Sequence, residues 1–170
     1  MLNVTARLEL MSKILDTLKA VVEDAKFEFK ENSLHIRVVD PSHVAMIQMD
    51  IDSAAFDTWE LDETEIAFEI DMVRDLVGLG SEDEMLNLRA DEGSGMLQAS
   101  LGNVEGEFRT IDPSTITARA LPPLDPKCKV HLSGPDFIRI LSAAALGGDL
   151  VTFGIGDDHF KVSANNTNNN

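Results

Sequence analysis

Three cations, Lys13, Arg74 and Arg139, recur at matching points of the sequence, each in a run that reads as a helix and each off that run's apolar stripe. A cation presented repeatedly from one side of a repeated unit is suited to meet a polyanion, through charge rather than covalent chemistry. The alternative is that these are solvated residues of polar helix faces. Asp16, Glu23 and Asp24 share the first helix's polar side and nearly cancel its cations. The remaining reactive residues form no catalytic pattern. The chain carries 30 Asp and Glu and 4 His, yet it has no Cys-x-x-Cys, no His-Glu-x-x-His, no Gly-x-x-x-x-Gly-Lys loop and no serine in a nucleophile elbow. Asp157-Asp158-His159 comes nearest to a metal cluster, and its position between two predicted strands reads as a solvated turn. The expectation is a protein that is not an enzyme and needs no cofactor or metal.

The elements that position the cations are repeated. A shift of 126 positions aligns Val4 with Val130, Met11 with Phe137, Ile14 with Ile140, Leu15 with Leu141, Phe27 with Phe153, Leu34 with Phe160 and Ile36 with Val162. A shift of 61 gives a weaker copy, pairing Met11 with Met72, Leu15 with Leu76, Leu18 with Leu79, Phe27 with Leu88 and Ile36 with Leu97. Three copies of one unit therefore start near residues 2, 63 and 128. Each reads as strand, helix, strand, strand, which predicts an α+β protein.

Within the first copy, residues 10–25 carry apolar side chains at a spacing of three and four, from Met11 through Leu18 to Ala25, and predict a helix. Alternation follows in Phe27 and Phe29 and again in Leu34, Ile36 and Val38, with Glu31-Asn32-Ser33 as the hairpin turn between them. Further strands are predicted at 44–51, 56–61 and 64–70, a short helix at 71–79, and strands at 84–90, 95–101 and 104–111. Pro113, Pro122, Pro123 and Pro126 mark residues 112–127 as an extended linker. The third copy has a strand at 129–132, a helix opened by Ser133-Gly-Pro-Asp136, and strands at 149–155 and 159–164, followed by a polar tail at 165–170. The sequence thus divides into a first domain, 1–111, the linker, and half of a second domain, 128–164.

A formal charge of -16 argues against general affinity for nucleic acid and confines any such contact to a local surface. The same charge suits a high-salt cytoplasm or a protein kept soluble by repulsion. The single cysteine, Cys128, fits a reducing compartment. No apolar run approaches a membrane span and no secretory signal opens the chain, so the expected location is the cytosol or nucleus.

The segment Arg37-Val-Val-Asp-Pro-Ser-His-Val-Ala-Met46 resembles the corresponding strand-turn-strand of the archaeal and eukaryotic sliding clamps, the proliferating cell nuclear antigen family. The helix containing Leu15-Asp-Thr-Leu-Lys-Ala-Val-Val-Glu-Asp-Ala25, the proline-marked linker and the restart at Ser133 to Leu141 follow in the family's order, so the resemblance covers residues 2–164. It implies the DNA-clamp fold, with helices on one face of curved antiparallel sheets. It further implies a ring of three subunits that encircles duplex DNA without reading its sequence and makes DNA polymerase processive. Lys13, Lys19, Arg74 and Arg139 would then face phosphates from the inner helices. Val39, His43 and Val44, with Leu121 and Leu124 of the linker, would wall a socket for the short docking peptide of a polymerase, clamp loader, flap nuclease or ligase. Leu121 and Leu124 have an alternative role in pinning the linker to the sheet, and His43 one as a turn residue. In an archaeon such a protein accompanies the nucleoid; in a eukaryote it is nuclear.

The resemblance also implies that the strand at 104–111, with Val104, Gly106, Phe108 and Thr110 along it, meets a strand of the neighbouring subunit. The family's matching strand lies beyond the last residue here. As written the sequence is expected to leave that edge open and not to close a ring in the usual way. This motivates a second reading, a half-clamp that binds clamp partners without encircling DNA and acts as a decoy or regulator.

Overall fold

The first strand, β1 (Leu2–Arg7), buries Leu2, Val4 and Ala6 on one side, the period of two that a pleated strand imposes. α1 (Leu8–Lys19) follows directly and buries Leu8, Met11, Ile14, Leu15 and Leu18, with Glu9 in its first turn and Lys19 in its last to suit the helix dipole. The pattern predicts a helix running to Ala25, but it stops at Lys19. Ala25 is instead the first inward residue of β2 (Asp24–Lys30), alternating with the buried Phe27 and Phe29. Further turns would stack β-branched Val21 and Val22 and two acids at the negative end of the helix, whereas extended backbone from Asp24 gains a ladder. Tertiary pairing wins over local periodicity there.

The computed structural model describes residues 1–116, 123, 125–156 and 158–165. Among them no helix is long and apolar enough to cross a membrane. After β2 come β3 (Ser33–Val39), β4 (Met46–Asp52), β5 (Thr58–Leu61), β6 (Thr64–Glu69), α2 (Ile70–Val77), β7 (Met85–Ala90), β8 (Met96–Leu101) and β9 (Val104–Arg109). They form a five-stranded antiparallel sheet, β5-β1-β7-β8-β9, and a four-stranded one, β4-β3-β2-β6. Both helices are amphipathic and turn their apolar stripes to one core with the buried faces of the sheets. Trp59 of β5 joins the sheets: its indole N–H donates to the carbonyls of Lys30 and Glu31 at 3.2 and 3.0 Å, and its ring lies 5.7 Å from that of Phe29. Gly80, after α2, leaves room where a Cβ would sit 2.7 Å from the methyl groups of both Leu8 and Leu101.

The first two repeats exchange strands. β1 of the first pairs with β7 of the second, with Val4 opposite Leu88, and β6 of the second pairs with β2 of the first, with Ile66 opposite Phe27. The two ladders are related by an approximate twofold, but only when the offset between repeats changes along the chain. Through the first strand and helix it is 62, relating Val4 to Ile66, Leu8 to Ile70, Met11 to Val73 and Leu15 to Val77, all buried. Through the next two strands it is 61, relating Ala25 to Leu86, Phe27 to Leu88 and Ile36 to Leu97, again all buried. The gapless shift of 61 is therefore corrected by one residue in the helix. Met72 and Leu79, which it matches with Met11 and Leu18, are 40% and 72% exposed. Arg74 accordingly stands at the equivalent of Ser12, one position from that of Lys13.

The chain divides into two compact units, Met1–Ala120 and Leu121–Asn170. The second contains α3 (Gly134–Ala145), β10 (Leu150–Ile155) and β11 (Phe160–Asn165). Ser133 caps α3 by accepting from the Asp136 N–H at 3.2 Å, and Pro135 sits in its first turn. β10 and β11 pair antiparallel, with Phe153 opposite Val162. α3 begins 126 residues after α1, so Arg139 keeps the position of Lys13. The strand predicted at 129–132 does not form. Its counterpart β1 has a strand on each side, whereas residues 128–133 have none among the described residues, and unpaired extended backbone has no ladder to hold it.

The corrected offset sets two methionines apart. Met11→Ala is expected to lower the unfolding free energy by about 2–5 kcal/mol, while Met72→Ala shifts it by about 0.5 kcal/mol or less. Urea denaturation followed by Trp59 fluorescence checks both.

Candidate nucleic-acid and partner-docking surfaces

α1 and α2 lie side by side and antiparallel, because Lys19 at the end of α1 pairs with Asp71 at the start of α2 while Asp16, one turn earlier, pairs with Arg74 one turn later. Arg74 Nε donates to Asp16 Oδ1 at 2.6 Å, and its Nη1 lies 3.7 Å from Asp71 Oδ1. Asp71 thus bridges Lys19 and Arg74. Lys13 sits apart on the exposed face of α1 and pairs with Glu9, one turn back. All three cations of α1 and α2 are therefore engaged by carboxylates. The hydrogen bond to Glu9 raises the Lys13 ammonium above its ordinary value and holds the Glu9 carboxyl below its own. The bond to Asp71 likewise raises Lys19, and the bond to Asp16 raises Arg74. Arg139 lies on α3 in the second unit, exposed and with no ion pair among the described residues. The α1–α2 face can offer phosphates Lys13, Lys19 and Arg74, each of which must first loosen a carboxylate.

The residues expected to receive a peptide fall on and after β3. Val39 is the last residue of β3, paired with Met46. His43 and Val44 lie in the loop to β4, where Val44 is 85% exposed and His43 has a φ of 57°. Asp40 organises this loop. Its Oδ1 accepts from the N–H groups of Val44 and Ala45, both at 2.6 Å, and its Oδ2 from that of Ser42 at 2.9 Å. Three donors around one carboxylate define the loop without burying it, so Val44 projects into solvent beside a rigid turn. Asp40 was not among the expected site residues. The Asp-Pro-Ser run, an Asx-turn signal ahead of a left-handed residue, is the feature that could have found it. Leu121 and Leu124 lie outside the described residues.

Val104, Gly106 and Phe108 lie on β9, the edge strand of the larger sheet, and Thr110 just beyond it donates its N–H to Gly95 O at 2.9 Å. Phe108 lays its ring across Gly106, where a Cβ would come within 2.7 Å of it, and packs against the core. The other side of β9 has no strand beside it among the described residues. Immediately afterwards Ile111 bridges to Ala67 of β6 in the second sheet.

Two other clusters hold side chains of reactive type. On the outer face of the smaller sheet His35 Nδ1 meets Asp50, and its Nε2 lies 2.8 Å from Ser33 Oγ. That order matches a hydrolase relay, but the three side chains stand on one open sheet face, with Asp50 held below the ordinary carboxylate range by Gln48 first and His35 second. Of the Asp157-Asp158-His159 run, Asp158 bonds His159 at 2.8 Å, and the described residues contain no group of three metal-ligating side chains.

Repeated β-α-β-β units joined by reciprocal strand exchange, with both helices on one face of the antiparallel sheets, define a clamp-type α+β domain. The family profile of the proliferating cell nuclear antigen N-terminal domain matches residues 2–109. The DNA polymerase sliding clamp of Methanosarcina mazei is 31% identical over 157 residues, covering 92% of this chain and 64% of that protein. That of Thermoplasma acidophilum is 31% identical over 163 residues, covering 95% and 65%. Among solved structures, the one titled "C-terminal region of FEN-1 bound to A. fulgidus PCNA" superposes with a TM-score of 0.92 at 28% identity, covering 98% of this chain and 69% of that one. The chain belongs to the proliferating cell nuclear antigen family and has its DNA-clamp fold. It spans about 64% of the length of the Methanosarcina relative.

The Asp40 loop carries a pH dependence of known sign. The N–H groups of Ala45 first, then of Val44 and Ser42, hold the Asp40 carboxyl below its ordinary value. The loop's stabilisation is thus fully present above the ordinary Asp range of about 3.9 and is lost as pH falls through the lowered folded value. The Val44 and Ala45 amide shifts are expected to titrate below that range by NMR, and Asp40→Ala to abolish the titration and speed exchange of both amides.

Proposed function

We propose that this chain is a subunit of a DNA polymerase sliding clamp, a processivity factor without catalytic activity that surrounds duplex DNA and tethers replication and repair enzymes. The observation that carries the reading is the antiparallel α1–α2 face, which presents Lys13, Lys19 and Arg74 in a member of this family. Carboxylates already hold each of these cations, so phosphates would compete with Asp16, Asp71 and Glu9 for them. Contacts of that kind are weak, exchangeable and indifferent to base sequence, as movement along DNA requires. Arg139 of α3 would be a further phosphate contact.

Polymerase, clamp loader, flap nuclease and ligase would dock by a short peptide whose anchors cover Val39, His43 and Val44, with Leu121 and Leu124 completing the wall. The family member captured with the C-terminal region of FEN-1 supports a docking mode of this kind. The open side of β9 would pair with a neighbouring subunit, and a trimer is the assembly this reading expects. A competing reading has the chain bind the same peptides without surrounding DNA.

Topological retention separates the two. A clamp loaded on nicked circular DNA by its loader stays through a high-salt wash and leaves when the circle is cut; a peptide binder is never retained. Lys13→Glu with Arg74→Glu is expected to abolish loading, and Asp16→Asn with Asp71→Asn to tighten DNA binding and steepen its log-log salt dependence by about 0.9 per phosphate gained. Val44→Asp is expected to weaken the docking peptide at least about tenfold, measured by calorimetry, while leaving DNA binding unchanged.

A further inference from the structure

A chain of hydrogen bonds runs across the outer face of the smaller sheet. Ser33 and His35 stand two residues apart on β3 and so share that face, and Asp50 of β4 lies directly opposite His35 in the ladder. Nδ1 of His35 meets Asp50 Oδ1, and its Nε2 lies 2.8 Å from Ser33 Oγ. The second oxygen of Asp50 accepts from Gln48 Nε2 at 2.9 Å, and Gln48 Oε1 accepts from Arg37 Nε at 3.3 Å. On the other side of His35 the ladder places Glu28 of β2, which Lys26 holds at 3.1 Å. Asp50 is therefore the carboxylate that engages the imidazole. Every one of these bonds lies within the first domain, between adjacent strands of one sheet.

The order of the bonds fixes the chemistry. Gln48 first and His35 second hold the Asp50 carboxyl below its ordinary range, so it is ionised and only accepts. Nδ1 then carries the imidazole proton, which leaves Nε2 bare and facing a hydroxyl that can donate to it. A serine so placed has a base on its own proton, and the base is oriented by a third group. What this relay lacks is enclosure. The side chains of His35 and Asp50 are 40% and 52% exposed. A hollow of about 280 Å³ beside them, lined by Lys30, His35, Arg37 and Gln48, gives a small molecule room to approach.

We propose that Ser33 is a site of covalent modification, taking a small acyl group from an activated donor whose leaving group departs as a stabilised anion, with His35 as the base and Asp50 as the positioning residue. Ser33 Oγ forms the bond to the acyl carbon as its proton passes to His35 Nε2. The bond from that carbon to the leaving group breaks, the electron pair goes with the departing atom, and Nε2 releases its proton to that anion or to solvent. The product is an ester of Ser33. It persists, because its own leaving group would be a serine alkoxide, far more basic than a phenolate or a phosphate, and a face open to water stabilises an oxyanion poorly. The relay thus modifies the chain once and does not turn over. The inference goes beyond the clamp reading and stands without it, since it needs neither DNA nor a partner peptide.

The test treats the 170-residue chain separately with p-nitrophenyl acetate and with acetyl phosphate, and locates the acetyl group by peptide mass spectrometry. Ser94 is the internal reference, exposed and with a hydroxyl that donates to the Met96 carbonyl instead of an imidazole. Ser33 is expected to be acetylated by at least one donor about a hundredfold faster than Ser94. His35→Gln is expected to bring Ser33 down to the rate of Ser94, and Asp50→Asn to slow it at least about tenfold. Trp59 donates to the carbonyls of Lys30 and Glu31 beside the β2–β3 turn, so its fluorescence reports that the hairpin is intact in each variant. Equal rates at Ser33 and Ser94 with both donors, or a His35→Gln chain acetylated at Ser33 as fast as the parent, would overturn the proposal. So would a fast release of p-nitrophenolate that survives Ser33→Ala, since the imidazole would then be the nucleophile, or a Ser33-dependent release that continues past one equivalent per chain. Failure of DNA retention would leave it standing and count against the clamp reading alone.

Discussion

The two reciprocal ladders, β1 with β7 and β6 with β2, are the contacts on which the first domain depends. Neither unit can bury its own apolar face, since a helix and a hairpin leave one side of their shared core uncovered. Exchange of the first strand closes both cores at once and builds each sheet from both units. It brings Phe68 onto Phe27 at 4.6 Å and allows the core to contain no buried polar or charged residue among those described. It also dictates the antiparallel apposition of α1 and α2, because the twofold that relates the ladders relates the helices that follow them. The charged seam between the helices is a consequence of strand pairing far from it in sequence.

That seam resolves a tension in the composition. A chain of net charge -16 repels a polyanion at long range, and cations confined to one helical face would act only near contact. The carboxylates that hold Lys19 and Arg74 lock the helices together, and they also weaken what those cations can offer a phosphate. On the proposed function, both roles point the same way, toward a rigid inner surface with shallow attraction.

The third unit repeats the pattern of the first. Its sequence carries the same stripe and the same alternation as the first, its helix starts at the matching position, and its hairpin forms. The segment equivalent to β1 stays outside any strand, and the aromatic side chains that fill the core of the first domain stand half in solvent.

The repeat, the α+β class, the hairpins, the short second helix and the cap at Ser133 could be read from spacing, because period and turn chemistry are local properties. So could Lys13, Lys19, Arg74 and Arg139 as surface cations. Three things needed the tertiary structure. The helix ends at Lys19 rather than Ala25 because β6 competes for the backbone from Asp24 onward. The one-residue change of offset between repeats was invisible because Met72 and Leu79 are as apolar as the residues that take their place in the core. The partners across the helices, Asp16 for Arg74 and Asp71 for Lys19, lie more than fifty residues away in the chain. Periodicity says which side of a helix is polar. Which opposite charge waits across the gap is decided only when two strands from different repeats pair and set the helices side by side.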